Sequence, residues 1–363
     1  MNILITGIHG FVGSNLVAAL KDEHLIYGLD IVSPQKEGVC ETFAWNDLKN
    51  LPPIDLVIHL AGKAHDTKNQ TDAQVYFDIN TGLTQQMFYW FLASQATKFI
   101  FFSSAKAAAD SLGDEILTET VVPAPKGPYG ESKLAAEHYL TESFQKWRDC
   151  HASLAMTGDG ATGRVSEEEN ERRGEEEIGR IGEIATGRWG DGNELELADK
   201  KVYILRPCMI HGPGNKGNLN LLYNVVKKGI PWPLGAFENR RSFISVGNLC
   251  FVIAQLTEKE IPSGIYNMAD DDSLSTNELI RLIAISQNRT ANIWNIPRKL
   301  ITLLAGIGQT FHLPLNSERL RKLTESYVVS NSKIKLALNI KNMPFTSAAG
   351  FRKTFESFKK SGE

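Results

Sequence analysis

The chain opens with short, unbroken apolar runs separated by longer stretches whose apolar positions recur with helical spacing. Asn2–Thr6, His24–Asp30, Leu56–Leu60 and Phe99–Ser103 have the first character. The last two, LVIHL and FIFFS, lack the polar alternation of a half-exposed strand and predict strands buried on both faces of a parallel sheet. Gly13–Leu20 and Asp78–Ala93 have helical periodicity and fall between strands, so the rhythm is βαβ. Tyr129–Trp147 predicts a further helix and Val202–Leu205 a further buried strand, followed by amphipathic helices over Asn220–Lys228 and Thr276–Ser286. After Gly264 helical patterns dominate, with short strand-like pieces such as Tyr327–Val329. The pattern predicts an α/β fold: a Rossmann-type, doubly wound parallel sheet with a smaller, mostly helical C-terminal lobe.

Residues 150–199 break this rhythm. Nine of the 30 glycines fall between Thr157 and Asn193, acidic clusters stand at Glu167–Glu169 and Glu175–Glu177, and no lysine occurs between Lys146 and Lys200. No apolar period is sustained there, which predicts a flexible insertion. A lid or partner-binding element is one reading of it; a solvated excursion is the reading the composition favours.

Composition narrows the classes. With 363 residues, 42% hydrophobic and 22% charged, the chain has ample material for a globular core. A net charge of −3 supplies no bulk attraction for nucleic acid or an anionic membrane. Cys40, Cys150, Cys208 and Cys250 are scattered, so neither a disulfide framework nor a metal site is expected, and a cytoplasmic location fits. The strand pattern at residues 1–6 leaves no room for a signal peptide before the fold, and the most apolar late stretch, Leu300–Leu313, is too short to span a bilayer. It predicts a packed helix, and no membrane insertion is expected.

Candidate chemistry begins at Gly7-Ile8-His9-Gly10-Phe11-Val12-Gly13, which lies between the first strand and the first helix. Glycines there permit a tight turn, a close backbone approach to a pyrophosphate and tight helix–strand packing, while the helix N-terminus offers its positive end to an anion. Asp30 ends the second strand at the distance where a carboxylate accepts from a ribose diol and repels a 2′-phosphate, so NAD is favoured over NADP. Asp47-Leu48 precedes the Leu56–Leu60 strand, where an adenine can be held. Leu60-Ala61-Gly62 closes that strand at the carboxyl edge of the sheet, and His59 before it reads as a packed strand residue.

Tyr129 and Lys133 stand four apart in PYGESKLAAE and so share a helix face. An ammonium beside a phenol favours the phenolate, which lets the tyrosine exchange a proton with a hydroxyl while hydride moves to or from a nicotinamide. Ser104, at the end of the FIFFSS run, can hydrogen-bond the same oxygen.

These pieces resemble the extended short-chain dehydrogenases of the NAD-dependent epimerase/dehydratase family: TGIHGFVG at 6–13, Asp30, HLAG at 59–62, Asn80, SSAKAAAD at 103–110, PYGESK at 128–133, LRPCMIHGPG at 205–214 and RRSFISVGNL at 240–249. They run in the family's order and cover nearly the whole chain outside 150–199. The resemblance implies Ser104, Tyr129 and Lys133 as catalytic residues. It implies Gly7, Gly10, Phe11, Val12, Gly13, Asp30, Asp47, Leu48, Leu60, Ala61, Gly62, Tyr129, Lys133 and Pro207 around the cofactor, and Ser104, Lys106 and Arg241 on the substrate. Arg241 would meet a nucleotide-sugar pyrophosphate, for which a forked guanidinium is suited. The NAD-binding domain would comprise 1–149 with about 200–214 and 240–270, and a nucleotide-sugar lobe about 215–239 and 271–363. A homodimer through the helices of Asn80 and Tyr129 is implied as well.

The sequence departs from the family at Ala107-Ala108-Ala109, where Val-Tyr-Gly is usual, and at His211, where Tyr is usual; both bear on sugar specificity. The 4,6-dehydratases carry an Asp-Glu pair where this chain has Ala105-Lys106, so water elimination is disfavoured. The Lys106 motif is closer to bacterial enzymes of surface-polysaccharide synthesis, which act at carbon 4 of UDP-hexoses and UDP-N-acetylhexosamines as 4-epimerases or 4-keto reductases. Two other readings are weaker. A non-catalytic NAD(P)-sensing regulator would have no need of both Tyr129 and Lys133, and a reductase of a non-nucleotide alcohol would have no use for Arg241.

Overall fold

The computed structural model describes residues 1–32, 34–64, 72–113, 115–156, 199–215, 217–310 and 317–360. Most of the insertion expected over 150–199 therefore lies outside the described residues. Twelve strands are described, in chain order: β1 Asn2–Thr6, β2 Leu25–Leu29, β3 Glu41–Phe43, β4 Leu56–His59, β5 Lys98–Phe102, β6 Ile116–Leu117, β7 Lys201–Pro207, β8 Met209–His211, β9 Arg241–Ser245, β10 Gly264–Met268, β11 Ser273–Leu274 and β12 Val328–Val329. The main sheet has seven of them, in the order β10-β7-β5-β4-β1-β2-β3. The chain divides into two compact units, and β7 runs from the first into the second.

The first unit comprises Met1–His9, Lys21–Phe102 and Gly127–Ile204. Here β1 pairs in parallel with both β2 and β4, β2 with β3, and β4 with β5. Every residue of β4 and of β5 is buried, as the unbroken apolar runs predict for strands covered on both faces. The order reverses between β1 and β4, and Thr6 and His59, the last residues of these strands, lie directly opposite each other. Crevices that bind ligands form beyond the carboxyl ends of strands at such a switch point.

Two helical elements differ from the periodic prediction. The helix expected over Asp78–Ala93 starts earlier, at Ala73, capped by the Asp72 side chain accepting from Gln74 N at 3.1 Å. It passes through one π-helical turn at Asp78–Gly82 before continuing as Leu83–Ala93. That turn carries Asn80 fully buried, a widening that local periodicity does not register. The helix of Tyr129 runs from Pro128 to Met156, beyond the expected end at Trp147. Near its far end Trp147 stacks on Phe144, centroids 6.0 Å apart, and lies tilted against His151 at 4.1 Å. Lys200 satisfies the carbonyls that follow Leu83–Ala93: its Nζ donates to Phe91 O at 3.1 Å, Ser94 O at 2.7 Å and Ala96 O at 2.6 Å. Burial lowers its pKa to about 8.

The second unit comprises Gly10–Leu20, Ser103–Lys126 and Leu205–Glu363. In it β9 pairs in parallel with β8 and antiparallel with β11, and β12 pairs in parallel with β6. The helix Thr276–Ser286 begins with a reciprocal cap in which Ser275 Oγ accepts from Glu278 N and the Glu278 carboxylate accepts from Ser275 N. One core joins Leu219, Tyr223 and Phe243 to Leu279, Ile283, Phe351 and Phe355. The helix Arg298–Thr310 covers part of the predicted Leu300–Leu313 segment, but it packs on one side only. Ile301 and Ala305 are buried with Leu234 and Leu320, whereas Leu303 is 62% exposed. Among the described residues no helix is long and apolar enough to cross a membrane.

Candidate active site

In the first unit, β1 ends in a glycine turn. Gly7 has φ +67°, a conformation that disfavours side chains, and its N–H donates to Leu29 O at 2.8 Å. A Cβ on Gly7 would sit 3.1 Å from Ala61 N, so the ends of β1 and β4 approach closely because this position is bare. Asp30, just past β2, accepts from His9 N at 3.0 Å and from Ile31 N at 2.8 Å, which aims its carboxylate along the glycine turn. The Lys36 ammonium donates to Ile8 O at 2.9 Å, and burial lowers its pKa despite the pull of Asp30. Asp47 and Leu48 lie on a short 3₁₀ turn, Trp45–Asn50, held by Trp90 Nε1 donating to Leu48 O at 3.1 Å.

The same unit gathers Leu60-Ala61-Gly62, Asn80, Tyr129 and Lys133. Lys133 is buried on the helix Pro128–Met156; its Nζ donates to Phe102 O at 2.9 Å and lies 4.9 Å from the centre of the Phe101 ring. Burial lowers its pKa to about 8, and the nearby Glu137 carboxylate opposes that fall. At pH 7 the amine is still mostly an ammonium. Gly62 makes room for it: a Cβ there would lie 3.0 Å from Lys133 Nζ and 2.8 Å from Asn80 Oδ1. Tyr129 is half-buried in the first turn of the helix, its ring edge-on to Tyr76 at 6.3 Å. Position four along the helix therefore places a desolvated cation on the tyrosine's own face.

The second unit holds the other candidates. Gly10, Phe11, Val12 and Gly13 start the helix Phe11–Leu20; Phe11 packs on the Gly212–Gly214 loop, and Asn15 Nδ2 donates to Phe11 O at 2.8 Å and Pro213 O at 3.1 Å. Pro207 ends β7. Ser104 caps the turn Ala105–Ala108, its Oγ accepting from Lys106 N at 3.2 Å. That bond uses an acceptor site, so the hydroxyl hydrogen can be offered elsewhere. Ala107 and Ala108 are fully buried, and Ala108 and Ala109 pack against Leu117, Ala269 and Val329, where larger side chains would not fit. Lys106 pairs with Asp110 at 2.6 Å, and Asp110 also accepts from Lys126 N.

Arg241 opens β9, and burial lowers its pKa against the pull of Glu325. Sequence reasoning missed the residue that ties it to the turn following Ser104. Tyr327 forms an isolated parallel bridge with Arg241 just before β12, and its hydroxyl lies 2.7 Å from Ala109 O and 3.0 Å from Ala105 O, so its one hydrogen is given to or shared between these carbonyls. The strand-like pattern at Tyr327–Val329 speaks only of backbone; the phenol's reach across more than two hundred residues is a tertiary fact. His211, the departure from the family's tyrosine, is fully buried, stacked on Phe351 at 3.8 Å, with Nδ1 2.9 Å from Thr354 Oγ1. It serves the core of this unit.

Residues 3–194 match the model of the NAD dependent epimerase/dehydratase family. A UDP-glucose 4-epimerase of Vibrio cholerae is 27% identical over 98% of this chain and 95% of its own length. An N-acetyl-alpha-D-glucosaminyl-diphospho-ditrans,octacis-undecaprenol 4-epimerase of Escherichia coli O157:H7 is 24% identical over 92% of this chain and 84% of its own length. Among solved structures, a UDP-N-acetylglucosamine 4-epimerase from Bacillus cereus superimposes with TM-score 0.66 at 18% identity, covering 99% of each chain. A Thermus thermophilus UDP-glucose 4-epimerase in complex with NAD gives 0.65 at 20% identity, again covering 99% of each chain. These structures share the fold. With a family match spanning more than half its length and the glycine turn, strand-end carboxylate and Tyr129–Lys133 helix all present, this chain belongs to the NAD dependent epimerase/dehydratase family.

Proposed function

We propose that this protein is an NAD-dependent nucleotide-sugar oxidoreductase working at carbon 4 of a UDP-hexose or UDP-N-acetylhexosamine. It acts as a 4-epimerase or 4-keto reductase in surface-polysaccharide synthesis, in the cytoplasm and as a homodimer. The observation that carries the reading is the buried Lys133 ammonium, anchored on Phe102 O one helical turn from Tyr129. Two full-length relatives named as 4-epimerases support it, one of them named for a polyprenol-linked N-acetylglucosamine.

The residues present fit the cofactor. The bare Gly7 turn lets the ends of β1 and β4 close up at the carboxyl edge of the sheet, where a dinucleotide would lie, and Asp30 presents a fixed carboxylate where a ribose diol would donate. Leu60, Ala61 and Gly62 would border it at the strand end, with Asp47 and Leu48 toward the adenine. Gly10, Phe11, Val12, Gly13 and Pro207 complete the set. When bound, NAD accepts and returns the hydride.

Tyr129 Oη takes the proton from the sugar hydroxyl as the ring carbon is oxidised and gives it back on reduction. Lys133, four residues further along the same helix face, holds the positive charge that favours the ionised form of that oxygen. Ser104 Oγ donates to the sugar oxygen and orients it. Arg241 pairs with the diphosphate, and Lys106 lies on the sugar side.

Purified protein incubated with UDP-glucose or UDP-N-acetylglucosamine should yield the 4-epimer without added cofactor, or, for a reductase, consume NADH with a 4-keto sugar. A preparation that carries no dinucleotide and does neither would refute the reading. Sedimentation of the same sample tests the homodimer. For Asp30→Ala, calorimetric titration should show NAD affinity falling by about tenfold, the loss of a hydrogen bond to a charged group, with little change for NADP. An unchanged NAD preference would remove Asp30 from the site.

A further inference from the structure

His59 is fully buried, ringed by Trp45, Phe99 and Phe101 at 5.9 to 6.3 Å, and neither of its nitrogens can reach a ligand. We propose that it is a positioning residue: fixed as the neutral Nε2–H tautomer, it joins the Leu60–Gly62 corner to the first turn of the Tyr129 helix through a one-way run of hydrogen bonds. The proposal rests on the functional reading above.

The direction of each bond follows from counting hydrogens. Thr6 Oγ1 accepts from Leu60 N at 3.1 Å and from Ala61 N at 2.9 Å, which uses both of its lone pairs. Its one hydrogen then goes to His59 Nδ1, 2.8 Å away, so Nδ1 is bare. On the other side of the ring, Thr84 Oγ1 donates its hydrogen to Asn80 O at 2.7 Å and must accept from His59 Nε2 at 3.0 Å. An Nδ1–H ring, or an imidazolium, would point a third donor at Thr6. Burial, with Lys133 nearby, independently pushes the His59 pKa down to about 3.

The run continues through Asn80. Its Oδ1 accepts from Lys63 N at 2.8 Å, and its Nδ2 donates to Ser132 Oγ at 3.0 Å and to Lys63 O at 3.3 Å. Ser132 Oγ passes its hydrogen to Tyr129 O at 3.0 Å, and Thr81 Oγ1 donates to Ser132 O at 3.0 Å. His59 thus sets the Leu60–Gly62 corner through Thr6, and the backbone of Tyr129 through Thr84, Asn80 and Ser132. Gly62 lies against both Asn80 Oδ1 and Lys133 Nζ, so a shift in the corner reaches the amine directly. A buried network with every member satisfied is rigid; with one member removed it loses its single arrangement.

Two measurements test this on the full chain. Imidazole ¹⁵N NMR, with His59 assigned by its loss in a His59→Gln sample, should show the Nε2–H form unchanged from mildly acidic to alkaline pH. An Nδ1–H form or a titrating ring would overturn the proposal. Thr84→Val and Ser132→Ala keep side-chain size and break the run. Each should lower kcat about tenfold, as for one lost positioning hydrogen bond, and move the acid limb of the pH–rate profile upward. KM for the UDP-sugar should change less than about threefold and melting temperature by only a few degrees. The double variant should match either single variant in kcat, since both cut one path, and Thr84→Ser should restore turnover. Wild-type kcat in both single variants, or losses that multiply, would also overturn it. An inactive wild type refutes the functional reading instead, and the NMR arm then still decides the network.

Discussion

Tyr129→Phe should reduce turnover by about 10²–10⁴-fold, the span ascribed to a positioned general acid–base group, while NAD remains bound. The ring is half-buried and edge-on to Tyr76, a contact that phenylalanine keeps, so the fold and its melting temperature should change little. The helix would still present Lys133 at its place on Phe102 O, because no part of that bond involves the phenol. What disappears is the oxygen proposed to exchange a proton with the sugar. Stopped turnover with retained NAD fluorescence quenching is the expected pattern. Near-normal turnover would remove Tyr129 from the chemistry and, with it, the proposed reaction.

Lys133→Met should impair both turnover and cofactor affinity, and it should reshape two pH dependences. In the wild type the ammonium is present below about pH 8 and lost above it, so phenolate stabilisation and turnover should decline as pH rises through that value. Without the ammonium that support for the phenolate is gone, and the residual activity should rise into the alkaline range. The stability slope has a definite sign. The folded-state pKa, about 8, is below the ordinary lysine value of 10.5, so between those values the unfolded chain binds the proton more tightly. Wild-type stability should therefore gain from this group as pH rises through that window, and the burden of the buried charge is greatest below about 8. Denaturant unfolding at neutral and alkaline pH should show that gain in the wild type and its loss in Lys133→Met. The variant also leaves Phe102 O without its donor, an offsetting cost of about 1–3 kcal/mol. A pH–rate profile identical to wild type would show that the lysine does not tune the tyrosine.

Local chemistry made much of this protein readable from its residues in order. Unbroken apolar runs such as LVIHL and FIFFS are long enough to declare a strand and too apolar to leave a face in water, and β4 and β5 are buried throughout. The glycine turn after β1 and the four-residue spacing of Tyr129 and Lys133 are short-range patterns, so sequence separation conceals nothing. Elements whose reason lies elsewhere in the chain were not readable. The π-helical turn at Asp78–Gly82 carries Asn80, which meets Ser132 and Lys63 at a distance of many residues. Tyr327 supports the turn after Ser104 from the far end of the chain, and His211 looked like a specificity change yet lies stacked on Phe351. His59 shows the division within a single residue. Its place at the end of an apolar strand follows from periodicity alone, because alternation and burial are properties of neighbours. Which of its nitrogens carries the hydrogen depends on Thr6 and Thr84, brought to either side of the ring only when the sheet and its covering helix have assembled.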